Sequence, residues 1–189
     1  MPDWGWILIA ALAVVAVVAI ALAARAAGTR KRSERLKEHF GPEYDRTVGV
    51  MGDQQAAESE LAARERNRKK LDIVPLSAAA HANYAQHWRM VQTAFVDSPA
   101  SAVGDADRLV TQVMRERGYP IDDFEQRAAD ISVDHPSVVQ DYRAAHAIYL
   151  SQQSGDVGTE VQREALVHYR ALFEKLLETD NDTHKEARA

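Results

Sequence analysis

The run WGWILIAALAVVAVVAIALAA, residues 4–24, carries no charged side chain and is followed at once by a dense basic stretch. A helix needs about 20 apolar residues to cross the roughly 30 Å hydrocarbon core of a bilayer, so the run predicts a transmembrane helix that ties the rest of the chain to a membrane. A cleaved secretory signal peptide competes with this reading, because Ala24-Arg25-Ala26 has the small-x-small look of a cleavage site. Signal peptides open with positive charge and have a short apolar region. This chain opens Met-Pro-Asp and its run is longer, so an uncleaved anchor is expected.

Charge predicts the orientation. Arg25, Arg30, Lys31, Arg32, Arg35 and Lys37 follow the run, whereas Asp3 is the only charged side chain before it. Basic residues stay on the cytoplasmic side, which puts the C-terminal bulk there and the protein in the cell membrane. Trp4 and Trp6 stand where an interfacial aromatic pair anchors the outer end of the helix, and Arg25, Arg30, Lys31 and Arg32 mark the inner interface. Each of these cations could also attract anionic lipid by about 1 kcal/mol, although a topology signal alone explains them equally well.

The 165 residues that follow Ala24 are enough for one domain of modest size. The chain has no cysteine, which excludes a disulfide framework, a thiolate nucleophile and cysteine-based zinc or iron–sulfur sites. Its net charge of -5 makes general nucleic-acid binding an unattractive default. Strand signals are missing and apolar positions recur at three and four, so the class is all-α: an N-terminal transmembrane helix, a charged juxtamembrane stalk helix and a compact bundle of four or five helices. The expected divisions are an anchor over 1–27, a basic juxtamembrane segment over 28–52, a helical domain over 53–178 and a disordered tail over 179–189.

A charged helix is expected over 29–40, stopped by Gly41-Pro42, with 43–52 a connector. From the N-cap Asp53 a helix runs through QQAAESELAARERNRKKL, with Glu60 and Arg64 at the favourable four-residue spacing and most faces polar enough to be solvated. Beyond Pro75, Leu76, Ala80, Tyr84, Trp88, Val91 and Phe95 share a face. Ser98-Pro99 opens the next helix, whose stripe is Val103, Ala106, Val110 and Val113 and whose stop is Gly118 with Pro120. Asp122 with Glu125 and Thr159 with Gln162 have capping-box spacing. Between them Pro136 restarts the chain, and Val138, Val139, Tyr142, Ala145 and Tyr149 form a stripe; the last comprises Val161, Ala165, Tyr169, Leu172 and Leu176.

The segments LKEHFGPEYDRTV, LDIVPLSAAA, FVDSPASAVGDADRLVTQVMRERGYP and DFEQRAADISVDHPSVVQDYRAAHAIYL, together with the apolar run, make the chain resemble a group of bacterial, largely actinobacterial, single-pass membrane-anchored proteins of unknown function. The resemblance covers nearly all of 36–177. It implies an anchor and a helical domain, and no activity or site residue.

Chemistry is most inviting at Asp130, Asp134, His135, Arg143 and His146, where carboxylate and imidazole could act as acid and base or as metal ligands. Asp134, His135 and His146 are the candidate catalytic residues. The plainer reading has Asp134 capping a helix that begins near Pro136, and His146 hydrogen-bonded in a core. His39, His81, His87, His168 and His184 lack HExxH-like spacing, so no metal is expected. No glycine pattern matches a nucleotide-binding loop, and Ser77 and Ser98 read as caps rather than nucleophiles, so no cofactor is expected. Tyr84 with Trp88 and Tyr142 with Tyr149 are core aromatics before they are a ligand cage.

Three functions follow. The one asking least of the sequence is a membrane-anchored cytoplasmic interaction module, its partners the lipid bilayer and another protein, with no nucleic acid. The alternatives are an enzyme or metal-binding domain using the Asp130, Asp134, His135 and His146 region, and an extracytoplasmic binding protein.

Overall fold

The computed structural model describes residues 4–155 and 157–178. Among them are eight α-helices and no strand: α1 (Trp4–Phe40), α2 (Pro42–Met51), α3 (Gln54–Arg68), α4 (Ala78–Ala94), α5 (Pro99–Arg117), α6 (Phe124–Asp134), α7 (Val139–Ser154) and α8 (Thr159–Leu177). The chain is all-α and divides into two compact units, Met1–His39 and Phe40–Ala189. The expected disordered tail lies outside the described residues.

The first unit is the long helix α1. The expected charged helix over 29–40 is not separate from the apolar run, because only Gly28 interrupts good helix formers there, and a glycine costs a helix about 1 kcal/mol without ending it. Described apolar side chains stand in solvent on several sides of it: Leu12, Val17, Ile20 and Leu22 are all more than 60% exposed. Among the described residues no helix is long and apolar enough to cross a membrane. The side chains at 4–11, 14, 15, 18, 24 and 26, most of the apolar run, lie outside those residues. Gly41, at φ 50, turns the chain after Phe40, and Pro42 opens α2 at a first-turn position where its missing N–H costs nothing.

The second unit begins earlier than the sequence suggests. Residues 43–52, expected as a connector, are almost all of α2, which Pro42, Glu43 and Asp45 start favourably at its positive N-terminal end. Gly52 ends it in the left-handed conformation and Asp53 caps α3 by accepting from the Ala56 N–H at 2.6 Å. Helix α3 is less solvated than expected: Ala57, Leu61 and Ala62 are buried, and the Tyr44 hydroxyl donates to Glu58 at 2.8 Å. With α2 and α3 included, the unit holds α2 to α8, more helices than the four or five expected.

The main core surrounds α5, whose Val103, Ala106, Val110 and Val113 are fully buried as their spacing predicts. Helices α7 and α8 pack against it, with Tyr142 and Tyr169 edge to face at 6.4 Å between ring centroids. Helix α4 also packs on α5, and its Trp88 stacks on Phe173 of α8 at 4.7 Å. Phe40, Tyr44, Ala57, Leu61 and Ala62 are buried outside this cluster, as a second apolar centre. The linker from α3 to α4 is tied to the end of α5: the Val74 N–H donates to the Arg117 carbonyl at 2.9 Å, and a Cβ on Gly118, at φ 96, would fall 2.4 Å from the Asp72 carbonyl oxygen.

Several caps differ in detail from expectation. Ser77 caps α4 through the Ala80 N–H, but Ser98 makes no side-chain cap bond and leaves Pro99 to open α5. Asp123, not Asp122, caps α6 through the Gln126 N–H, and the Gln126 side chain donates to Asp130 further along the helix, so only the cap, displaced by one residue, remains of the predicted box. Gly158, not Thr159, is the N-cap of α8 and has no side chain to bond with; Gln162 is buried, and Val161 of the predicted stripe is 40% exposed.

Candidate functional site

Helix α6 ends with Asp134, so this carboxylate does not cap the following helix, which begins at Val139 after a turn through Pro136. Its position at a C-terminal helix end calls for positive partners, and it has one: the Arg68 guanidinium of α3 donates to its Oδ2, as does the hydroxyl of Tyr119. Gly118 makes that possible by turning the chain after α5 and presenting the buried Tyr119 ring, near whose face the Arg68 and Arg117 guanidinium carbons lie at 5.9 and 6.0 Å. Burial, together with the neighbouring Asp134 carboxylate, pushes the Tyr119 hydroxyl pKa up, which keeps it a donor.

One turn earlier, Asp130 is buried and accepts from the Gln126 side-chain amide at 3.0 Å, while its Oδ2 is buried with no hydrogen-bond partner. Burial pushes its carboxyl above the usual range. His135, the C-cap of α6, spends its backbone N–H on the Ile131 carbonyl and buries its ring Nε2 without a partner. Burial, helped by the Arg117 charge, lowers its pKa from 6.5 to about 4, so the ring is neutral near pH 7.

His146 belongs to a different constellation. On α7, its ring stacks on Phe124 at 3.8 Å and its Nδ1 lies 3.4 Å from Asp107 Oδ1, which also accepts from the Tyr169 hydroxyl at 2.8 Å. Burial alone would push the Asp107 carboxyl up, but the hydrogen bonds from His146 and Tyr169 outweigh it and hold the group low. Tyr169 is pushed well up by burial and by Asp107, and so stays protonated. This is an interior hydrogen-bonded network joining α5, α7 and α8. A second carboxylate–imidazole pair, Asp141 and His168 at 2.7 Å, joins α7 to α8 nearer the surface.

The structure therefore does not bring the four candidates together: Asp134 engages Arg68 and Tyr119 and lies within electrostatic reach of Asp130 and His135, whereas His146 engages Asp107. Among the described residues no group of three or more His, Asp or Glu side chains could hold a metal ion. Trp4 and Trp6 have side chains outside the described residues. Arg25, Arg30, Lys31 and Arg32 are exposed on α1, Arg30 bonding Glu34 at 3.1 Å.

No protein-family model, curated protein or solved structure matches the chain.

Sequence reasoning missed the most heavily engaged charge, Glu43 of α2. Although fully buried, it accepts from Arg64 of α3 at 2.9 Å, from Arg143 of α7 at 2.8 Å and from the Gln140 amide at 2.6 Å. A buried carboxylate survives when cations and donors replace water, and here they come from two other helices. The only local hint is that Glu43 stands one residue past a Gly-Pro stop, where the chain must turn back toward the body.

Proposed function

We propose that the chain is a single-pass membrane protein whose helical body lies on the cytoplasmic side and serves as an interaction module for another protein. The observation that carries the membrane part is α1. Leu12, Val17, Ile20 and Leu22 stand exposed in different directions about its axis, within a run that is apolar throughout. A helix apolar all round is stable only inside apolar surroundings, and hydrocarbon supplies them while the helix satisfies its own backbone. The basic residues after the run favour the cytoplasmic side for the body. The likeness to single-pass actinobacterial proteins is part of the same proposal and adds no chemistry.

The interaction part rests on how the candidate catalytic groups are used. Asp134, His146 and Asp107 are each committed to partners that join helices, which is the work of a scaffold. The flank of α4 offers a surface of the kind that proteins bind: Met90 is 52% and Val96 81% exposed, and grooves of about 410 and 300 Å³ run along α8 and α5 beside it. Apolar floor residues Trp88, Phe173 and Leu109 are rimmed there by Arg89, Glu174, Asp105 and Arg108, the usual anatomy of a contact patch.

The test is topological. With a reporter active only in the cytoplasm fused after Ala189, the protein should resist alkaline extraction from membranes and the reporter should be active. Release by alkali would refute the anchor. Activity only for an external reporter would move the body to the other side and favour the extracytoplasmic alternative.

A further inference from the structure

We propose that Arg25, Arg30, Lys31 and Arg32 form a collar around α1 that binds the anionic headgroups of phospholipids. The inference rests on the membrane reading above and names the ligand that the basic end of α1 recognises.

The first observation is how charge is spaced along the helix. The four cations follow the apolar run directly, all are exposed, and no acidic residue occurs between Asp3 and Glu34. With a rise of about 1.5 Å per residue, Arg25 to Arg32 span roughly 10 Å of helix, comparable with the headgroup layer that makes up the outer 5–8 Å on each side of a bilayer. Because side chains on a helix tilt toward its N-terminus, those of Arg30, Lys31 and Arg32 reach back toward the apolar run. Their apolar stems can lie along the helix while the charged heads sit at the level of phosphate.

The second observation is their distribution around the axis. At about 100° per residue, Arg25 and Arg32 share one side and Arg30 and Lys31 take two others, so cationic heads point in three directions roughly 100–160° apart. A protein partner docking on a helix reads one face. Ligands that surround it on all sides, as lipids do, match a ring of charge. Arg30 shares its charge with Glu34, both largely exposed, so that pair is weak and a phosphate can compete for the guanidinium.

The experiment uses the full chain reconstituted in vesicles of phosphatidylcholine and phosphatidylglycerol in equal parts, with trace spin-labelled lipid of either headgroup. Electron paramagnetic resonance then reads the fraction of each lipid held at the protein. Labelled phosphatidylglycerol should associate severalfold more strongly than labelled phosphatidylcholine, with the preference shrinking as salt is raised. In a variant carrying R25Q, R30Q, K31Q and R32Q, which leaves the buried side chains untouched, the two lipids should associate equally. An inserted wild-type protein with no headgroup preference, or an undiminished preference in the variant, would overturn the collar while leaving the anchor intact. Resistance to alkaline extraction of the same vesicles separates the two, since a protein that fails to insert refutes the membrane reading and the collar together.

Discussion

At the residue scale, the interior charges are committed to holding helices together. Asp134 is the clearest case, because its sequence position suggests a helix cap and its actual partners are Arg68 and Tyr119. Asp134→Ala should cost about 1–3 kcal/mol by leaving a charged donor and a buried hydroxyl unpaired. Serine is a good cap but cannot reach both partners, so Asp134→Ser should be nearly as damaging, and Asp134→Asn should fall between. Denaturant unfolding in which serine and asparagine are both silent would restore the capping explanation. His135 makes a pH-dependent prediction. Its ring is neutral in the fold down to about pH 4, but titrates near 6.5 when unfolded, so its contribution is complete above about 6.5 and is lost progressively as pH falls toward 4. Between about pH 7 and pH 5 the native protein should therefore lose more stability than His135→Gln, and parallel losses would contradict a buried neutral ring.

At the element scale, the joint that matters most is the one where α2, α3 and α7 meet at Glu43. Arg64 and Arg143 are 14% and 10% exposed there, so removing the carboxylate strands two cations in a poorly solvated place. Glu43→Gln should destabilise by about 3–5 kcal/mol. Converting the whole cluster to apolar side chains, Glu43→Leu with Arg64→Met and Arg143→Met, should recover part of that loss, since no charge is then left buried. Unfolding curves for the two variants decide it: a loss below about 1 kcal/mol for Glu43→Gln would mean that apolar contacts alone seat α2 and α3 on the body.

At the scale of the whole molecule, the compact unit should depend on α2. A chain of residues 34–178 should melt cooperatively as a helical domain, whereas one of residues 53–178, which lacks Glu43, should be markedly less stable by circular dichroism. Equal stability would show α2 to be dispensable. How much of this was legible follows the physics of each element. The stripe of α5 was readable because Val103, Ala106, Val110 and Val113 are buried by simple apolar periodicity. Helix α2 was not, because its buried face includes Glu43, a carboxylate whose burial makes sense only with partners from other helices, beside Thr47, whose hydroxyl donates to the Glu43 carbonyl within the same helix. Likewise the carboxylate and imidazole groups crowded between 130 and 146 could be recognised as interior, but Arg68 and Asp107, which claim Asp134 and His146, lie 66 and 39 residues away. The Glu43 joint also sets an order of events during synthesis. Its Arg143 partner lies 100 residues downstream, so at roughly 5–20 residues per second a nascent chain waits about 5–20 s between making the acid and making the base. Throughout that interval α2 and α3 are complete while the clasp that seats them is not, which makes this hairpin the stretch of the body with the longest need of protection from a chaperone.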